Sequence, residues 1–515
     1  MAKANLQARN DDLFPLMDKV QEFLAGDREV MLVLGDSGAG KSTFNKHLEH
    51  QLWTIYSKGD RIPLHINIPA IERPDQDMVT KQLQMYNFND DQIREMKEHR
   101  QFILICDGYD ESQLTTNLHK LNRLNQQGQW QAKMIASCRT QFLGPVYLDR
   151  FVPQGENHYQ RPALDRFQEA VIAPFSKQQI EDYVGRYVPL EPRSWVSEDY
   201  MRMLTTIPNL MDLVKNPFLL SLSLEALPSV TKGQWDISNI KITRVQLYDY
   251  FVDEWLGANM RRLLSSALTK EDRVVMNELV DEGFLHLGAD YSARLALAIF
   301  HEQDGNPIVQ YTLRQDKNSW KTAFFGADPA VKLLREASPM SRTGNQHRFV
   351  HRSVLEYFFS RVIYNPVKID EEFDPHAETA PCASPLLDAN NPLFQRALLK
   401  EPSVIQFLSD RVKLSQDFER QLRGIVILSK TDISATIAAT NAITILVRAG
   451  MSFIGADLRG VKVPGADLSN GQFDSAQFQG ADLTGVNLSK TWLRQVDMTD
   501  AHMEGVRFGE LPYLE

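Results

Sequence analysis

Two short stretches of this chain carry residue types suited to phosphate chemistry. Residues 35 to 43 read GDSGAGKST, and residues 103 to 111 read ILICDGYDE. The first has Gly35, Gly40, Lys41 and Ser42 at the spacing GxxxxGK[ST]. Glycines at 38 and 40 let the segment Asp36–Ser37–Gly38–Ala39–Gly40 curl so that backbone N–H groups, through Thr43, face an anion. A helix starting there adds a favourable field. Lys41 then reaches β- and γ-phosphates, and Ser42 ligates Mg²⁺. The second stretch runs from apolar residues into Asp107, with Asp110 and Glu111 close behind. Carboxylates this near one another repel, so they are a solvated strand end, a metal site or the hydrolytic side of a nucleotide pocket. A phosphate loop upstream favours the last. Asp107 then supplies the second Mg²⁺ contact, usually through water, and Asp110 and Glu111 orient or deprotonate the attacking water. A third stretch, ASCRT (136–140), puts Arg139 where it faces a γ-phosphate, against the plainer reading of a surface arginine.

These side chains need a scaffold. VMLVLG (30–35), IPLHINI (62–68), FILICD (102–107) and KMIASC (133–138) are short apolar runs with amphipathic stretches between them. That rhythm predicts a parallel sheet with crossover helices. GDSGAGKST follows the first run and precedes the helical FNKHLEHQLW, which is the context its motif demands. Residues 165 to about 430 read mostly as helix. In FSKQQIEDYVGRYV, Ser176 is an N-cap with Gln179 as its capping-box partner, and Ile180, Tyr183 and Val184 form an apolar face. RFVHRSVLEYFFSRVI (348–363) is an amphipathic helix. On residues alone His351 before it reads as a capping or packing histidine, and His347 as solvent-facing.

Taken together, GDSGAGKS, ILICDGYDE and MIASCRT resemble the NACHT branch of the signal-transduction (STAND, NLR-like) P-loop ATPases. The resemblance implies that Asp107 coordinates Mg²⁺ and that Asp110 and Glu111 support hydrolysis, without choosing between the two. KNPFLLSLSLEALP resembles the family's helical-domain motif, which implies that Pro217 packs on the adenine. FVHRSVLEYFFS resembles its winged-helix motif, which implies that His351 touches the β-phosphate of ADP. IAPFSKQQIEDYV and VQLYDYFVDEWL are similar to fungal members. The implied ligands are ATP or ADP with Mg²⁺. The implied behaviour is slow hydrolysis that controls conformation and a homo-oligomer in the activated state.

Residues 451 to 510 follow a strict five-residue repeat. Its central positions are Phe453, Leu458, Val463, Leu468, Phe473, Phe478, Leu483, Leu488, Leu493, Met498, Met503 and Phe508, and a small or apolar residue stands two places before each. Pentads of the A(D/N)LxG kind resemble pentapeptide-repeat proteins. That implies a right-handed quadrilateral β-helix with four pentads per turn, hence three turns and a height of roughly 14 Å. The stretch 431–450 is a candidate N-terminal cap, and Trp492 occupies an outward position suited to a partner. From 441 to 515 nine acidic residues face six basic ones, too weak an excess for mimicry of DNA.

The fold class expected is multidomain. A short tail (1–10) leads into a P-loop α/β parallel-sheet NTPase domain (11–165), a helical domain (166–240) and a winged-helix-like and helical region (241–380). A helical linker and cap (381–450), the pentapeptide coil (451–510) and a tail (511–515) complete it. The net charge of −10 across 515 residues disfavours broad nucleic-acid binding. No secretory leader is readable and no apolar run is long enough to insert in a membrane, so a cytoplasmic protein is expected. Cys106, Cys138 and Cys382 show no metal or disulfide spacing, and the first two read as small core residues. With 34 residues ahead of the loop, no large N-terminal effector domain is expected, and protein partners would meet the repeats or the helical region. The leading expectation is an ATP/ADP-dependent switch. The alternatives are an ATPase acting on a protein or nucleic-acid substrate, a repeat scaffold with a structural nucleotide-binding domain and, more weakly, a small-molecule kinase.

Overall fold

The computed structural model describes residues 13–509 apart from 37, 113, 115, 143–146, 154–162, 191–194, 208–209, 231–242, 267, 313–315, 318, 344 and 366–388. Ser37 and Cys382 lie outside the described residues. The chain divides into two compact units. The first holds the described residues up to Leu227 together with Gly305–Ile308, and the second holds the rest.

In the first unit, helix α1 (Leu16–Ala25) precedes β1 (Val30–Gly35), α2 (Lys41–Ile55), β2 (Ile62–Asn67), α3 (Met78–Met85), α4 (Asp90–His99), β3 (Gln101–Asp107), β4 (Gln131–Arg139) and β5 (Phe167–Val171). The five strands form one parallel sheet in the order β2-β3-β4-β1-β5. All six residues of β1 are buried, as suits a central strand covered on both faces. Alternate residues serve different cores: Val30, Leu32 and Leu34 pack on one face, and Met31 and Val33 on the other. Cys106 and Cys138 are fully buried, as their apolar surroundings predict. The four expected strands are present. The fifth, FQEAV, is an addition to them. It is short and has an edge strand's alternating exposure, so it offers no apolar run. Beyond it lie α5 (Lys177–Tyr187), α6 (Ser197–Thr206) and α7 (Pro217–Val230). The capping box of Ser176 with Gln179 is formed.

The second unit is helical, with a small sheet of β6 (Val309–Gln310), β7 (Met340–Thr343) and β8 (Gln346–Phe349) in the order β6-β8-β7. Helix α8 (Arg352–Tyr364) follows β8, and α9 (Pro402–Leu414), α10 (Gln416–Leu428) and α11 (Thr436–Arg448) lead into the pentads. His347 is not solvent-facing. β8 alternates, and position 347 points inward with Phe349, against the ring of Phe325 at 4.5 Å. Burial there holds its imidazole down at about 4.

In the pentads residue i pairs in parallel with residue i+20, as in Asp457–Gln477–Asp497, so four pentads make one turn. Central side chains stack turn on turn, and Phe453 and Phe473 lie parallel with centroids 5.2 Å apart. Residues of α11 and those just after α10 hydrogen-bond to the first pentads. Thr444 and Ser429 hydroxyls accept from the N–H groups of Asp467 and Lys462, and Thr440 and Lys430 donate to the carbonyls of Pro464 and Asp457. The far end is less covered than the start. Central residues through Leu488 are buried, Leu493, Met498 and Met503 are half-buried, and Phe508 is 50% exposed. No further described turn lies over them.

Candidate functional site

The first half of the site is the turn from β1 into α2. Gly38 and Gly40 have φ of +79° and +90°, a region that residues with a Cβ avoid. Gly40 is also the N-cap of α2 and supplies no side-chain acceptor. The first intrahelical bond of this turn runs from Phe44 N to Gly40 O, so the amides of Lys41, Ser42 and Thr43 are first-turn donors without an intrahelical partner. That is a cradle for an anion. Lys41 folds back over the loop, its Nζ donating to Gly35 O at 2.8 Å and Asp36 O at 2.9 Å. Burial pushes its ammonium below the ordinary value, while the nearby carboxylates of Asp110 and Glu111 oppose that shift.

The second half lies at the carboxyl ends of β3 and β4. Because β4 runs between β1 and β3, Arg139 falls between the loop and Asp107. The two aspartates have different partners. Asp107 Oδ1 accepts from Asn45 Nδ2 at 2.8 Å and from Ser137 Oγ at 2.7 Å. Asp110 is buried and tied to Arg139: its Oδ1 accepts from Arg139 N at 2.9 Å and its Oδ2 from Arg139 Nε. A carboxylate clasped by both the backbone and the guanidinium of one residue is an orienting group for that arginine. Glu111 sits beside it, half-buried.

Pro217 stands at the first position of α7, where its missing N–H costs nothing. Its neighbours touch the loop. Gly38 O accepts from Phe218 N at 3.2 Å, and a Cβ on Gly38 would lie 2.6 Å from Asn216 Oδ1 and 2.8 Å from Phe218 Cβ. Asn216 Oδ1 in turn caps the amides of Phe218 and Leu219. His351 belongs to the second unit, where its ring accepts from Ser353 N as the N-cap of α8. That is the capping role its position suggests.

Sequence reading missed Asn45, Ser137, Asn216 and Phe218. A signal existed for two of them: Asn45 shares the buried face of α2 with Leu48, and Ser137 interrupts an apolar central strand. A polar side chain in such a place needs partners.

Among the described residues no group of three His, Cys, Asp or Glu is placed to hold a metal ion. Mg²⁺ beside a nucleotide needs none, since it is held by one or two protein oxygens, phosphates and water. The donor set fits that: Ser42 opens α2, Asp107 ends β3, and Asn45 Oδ1 is a buried acceptor without a protein partner. An unmet buried acceptor costs about 1–3 kcal/mol, so water or a ligand shell is its natural complement.

Loop sequence and strand order give the first unit a P-loop-type α/β fold. The pentapeptide-repeat family model, with 8 copies, matches residues 452–490 and 481–510. Comparison with curated proteins finds no match. Among solved structures the chain is similar to a Walker-type ATPase of Pyrococcus abyssi, at 13% identity and a TM-score of 0.27, covering 68% of this chain and 97% of that one. It is similar to a signal-transduction ATPase with numerous domains (STAND) protein with a tetratricopeptide-repeat sensor from Pyrococcus horikoshii. There identity is 10% and the TM-score 0.32, with 85% of this chain and 58% of that chain covered. The S. cerevisiae Hsp104–ADP complex follows at 12% identity and a TM-score of 0.25, with 86% of this chain and 60% of that chain covered. This chain therefore spans less than two thirds of the last two.

Proposed function

We propose that this protein is an ATP/ADP-operated switch of the NACHT type that hydrolyses Mg²⁺-ATP slowly and changes conformation and assembly with the nucleotide it holds. The observation that carries this reading is the contact between the phosphate loop and α7. With Gly38 O bonded to Phe218 N and no room for a Cβ between them, a loop that adjusts around a phosphate must move the start of α7. A nucleotide-dependent contact of that kind is what a switch requires.

In this reading the amides of residues 38–43 and the Lys41 ammonium bind the phosphates, and Ser42 and Asp107 hold Mg²⁺. When bound, the ion neutralises charge on the β- and γ-oxygens. Glu111 orients the attacking water. Asp110 keeps Arg139 aimed at the γ-phosphate instead of acting as the base, which gives the two carboxylates separate roles. Pro217 packs on the adenine. His351, the N-cap of α8, is proposed to touch the β-phosphate of ADP. Within 241–380 the described residues form a winged-helix and helical module, and the pentads form a right-handed quadrilateral β-helix whose surface binds a protein partner. Ile454 and Trp492 suit such a surface, since both are 56% exposed and pentads two turns apart share one face. The protein works in the cytoplasm, where no membrane insertion is needed; among the described residues no helix is long and apolar enough to cross a membrane.

Purified protein should carry bound ADP, run as a monomer with ADP and form a larger particle with a non-hydrolysable ATP analogue. Lys41→Ala should respond to neither. Protein that comes away empty, turns over ATP rapidly and never changes size would sink the switch and leave an ATPase acting on a separate substrate.

A further inference from the structure

We infer that Asn45 and Ser137 are positioning residues that decide which oxygen of Asp107 faces Mg²⁺. The inference rests on the nucleotide-binding reading above and adds a pair of residues to it.

Three side chains from three elements close a ring: Asn45 of α2, Asp107 of β3 and Ser137 of β4. Asn45 Nδ2 donates to Asp107 Oδ1 at 2.8 Å and to Ser137 Oγ at 3.2 Å, and Ser137 Oγ donates to Asp107 Oδ1 at 2.7 Å. Gly108 N donates to Ser137 Oγ at 3.3 Å. Every proton in the ring has one place. The Ser137 hydroxyl hydrogen goes to the carboxylate, and its lone pairs take the Asn45 and Gly108 hydrogens. Asn45 Nδ2 donates to both partners. Its orientation is settled by charge, because a carbonyl oxygen turned toward the carboxylate would be repelled. Asp107 Oδ1 thereby has both of its lone pairs engaged, and Oδ2 is the oxygen left for a metal-bound water.

The placement of Asn45 adds the second half of the argument. It lies three residues after Ser42, on the same side of α2, so one helical turn carries both the hydroxyl that ligates the ion and the amide that sets its carboxylate. Asn45 is 1% exposed and its Oδ1 has no protein partner. A side chain there for packing alone would be apolar, as Leu48 is on the same face. An amide with one end on Asp107 and the other open suits a site that receives hydrated Mg²⁺, where the open carbonyl accepts from a water of the ion's shell.

The test is nucleotide affinity measured with Mg²⁺ and with EDTA, on the full chain. The readout is the ratio of the two dissociation constants for ADP, which is independent of hydrolysis. Asn45→Leu should shrink the Mg²⁺-dependent tightening by about tenfold or more, with the EDTA value held within about twofold of wild type. Ser137→Ala should move the ratio the same way by a smaller factor, and it guards against poor folding of the leucine variant. Equal losses with and without Mg²⁺ in both variants would make the ring a packing feature and overturn the inference. So would a ratio unchanged in either well-folded variant. Wild-type protein that binds no nucleotide would instead overturn the function proposed above, and this inference with it.

Discussion

In the pentad coil every fifth residue repeats one role, whereas at the carboxyl edge of the sheet no two residues share one. Phe453, Phe473 and their successors each fill a slot above and below identical slots. Losing one leaves the rest of the stack in place, and the damage is a local loss of packing. Asp107, Asp110 and Arg139 stand once each, and each is held by groups from other elements. A change there disturbs an arrangement that nothing else in the molecule duplicates. The coil is thus redundant and graded in its response to mutation, and the sheet edge is singular.

The largest effect expected tests the coil. Phe473→Ala removes a fully buried ring and should destabilise the coil by about 3–5 kcal/mol, while Phe508→Ala, at the open end, should cost less than about 1 kcal/mol. Hydrogen exchange in coil peptides reads both, and equal losses would break the contrast between the covered and open ends. At the sheet edge, Asp110→Asn and Arg139→Lys should each slow hydrolysis. The double variant should be little worse than either, a coupling of about 1–3 kcal/mol in the mutant cycle. Additive losses would mean that Asp110 acts on the water independently of Arg139. Glu111→Gln should slow hydrolysis with nucleotide binding retained.

Acid should separate the regions more gently. In the first unit the His119 ring, its Nε2 3.1 Å from the carboxylate, with help from Asn125 and Arg166, holds the carboxyl of Glu29 down at about 2. Its folded value is depressed, so its contribution is complete above the ordinary value of 4.5 and fades as pH falls from there toward about 2. With screening allowed for, it is worth on the order of 1–2 kcal/mol. Glu29→Gln should therefore flatten the acid limb of unfolding for the first unit and leave the coil's unchanged, and an unaltered limb would refute this assignment. The smallest effect returns to the coil. Lys490 and Gln495 hold φ of +58° and +56° at the turn position where most other pentads have glycine. Replacing either with glycine should stabilise by about 0.5–1 kcal/mol, seen as a raised denaturant midpoint. A loss instead would show that these side chains make contacts worth more than their strain.

The same contrast governs how much of the molecule can be read without coordinates. The pentads are legible because their period, central apolar residues and left-handed turn residues are all local. The four long strands are legible as apolar runs, and the phosphate loop through its glycines and the helix that follows. The weak strand Phe167–Val171 is not, since an edge strand of mixed polarity has no run to betray it. Nor is the inward turn of His347, which depends on which face of β8 the core lies against.

By itself the sequence determined the loop, the acidic strand end and the coil's repeat, because each is written in neighbouring residues under backbone and hydrophobic rules. Only tertiary structure decided that Asp107 answers to Asn45 and Ser137, 62 and 30 residues away, and that Asp110 answers to Arg139, 29 residues away. The reason is physical. The local chain sets which groups can ionise or donate, but a carboxylate's role is set by the donors that reach it, and here those donors arrive from a different helix and strand.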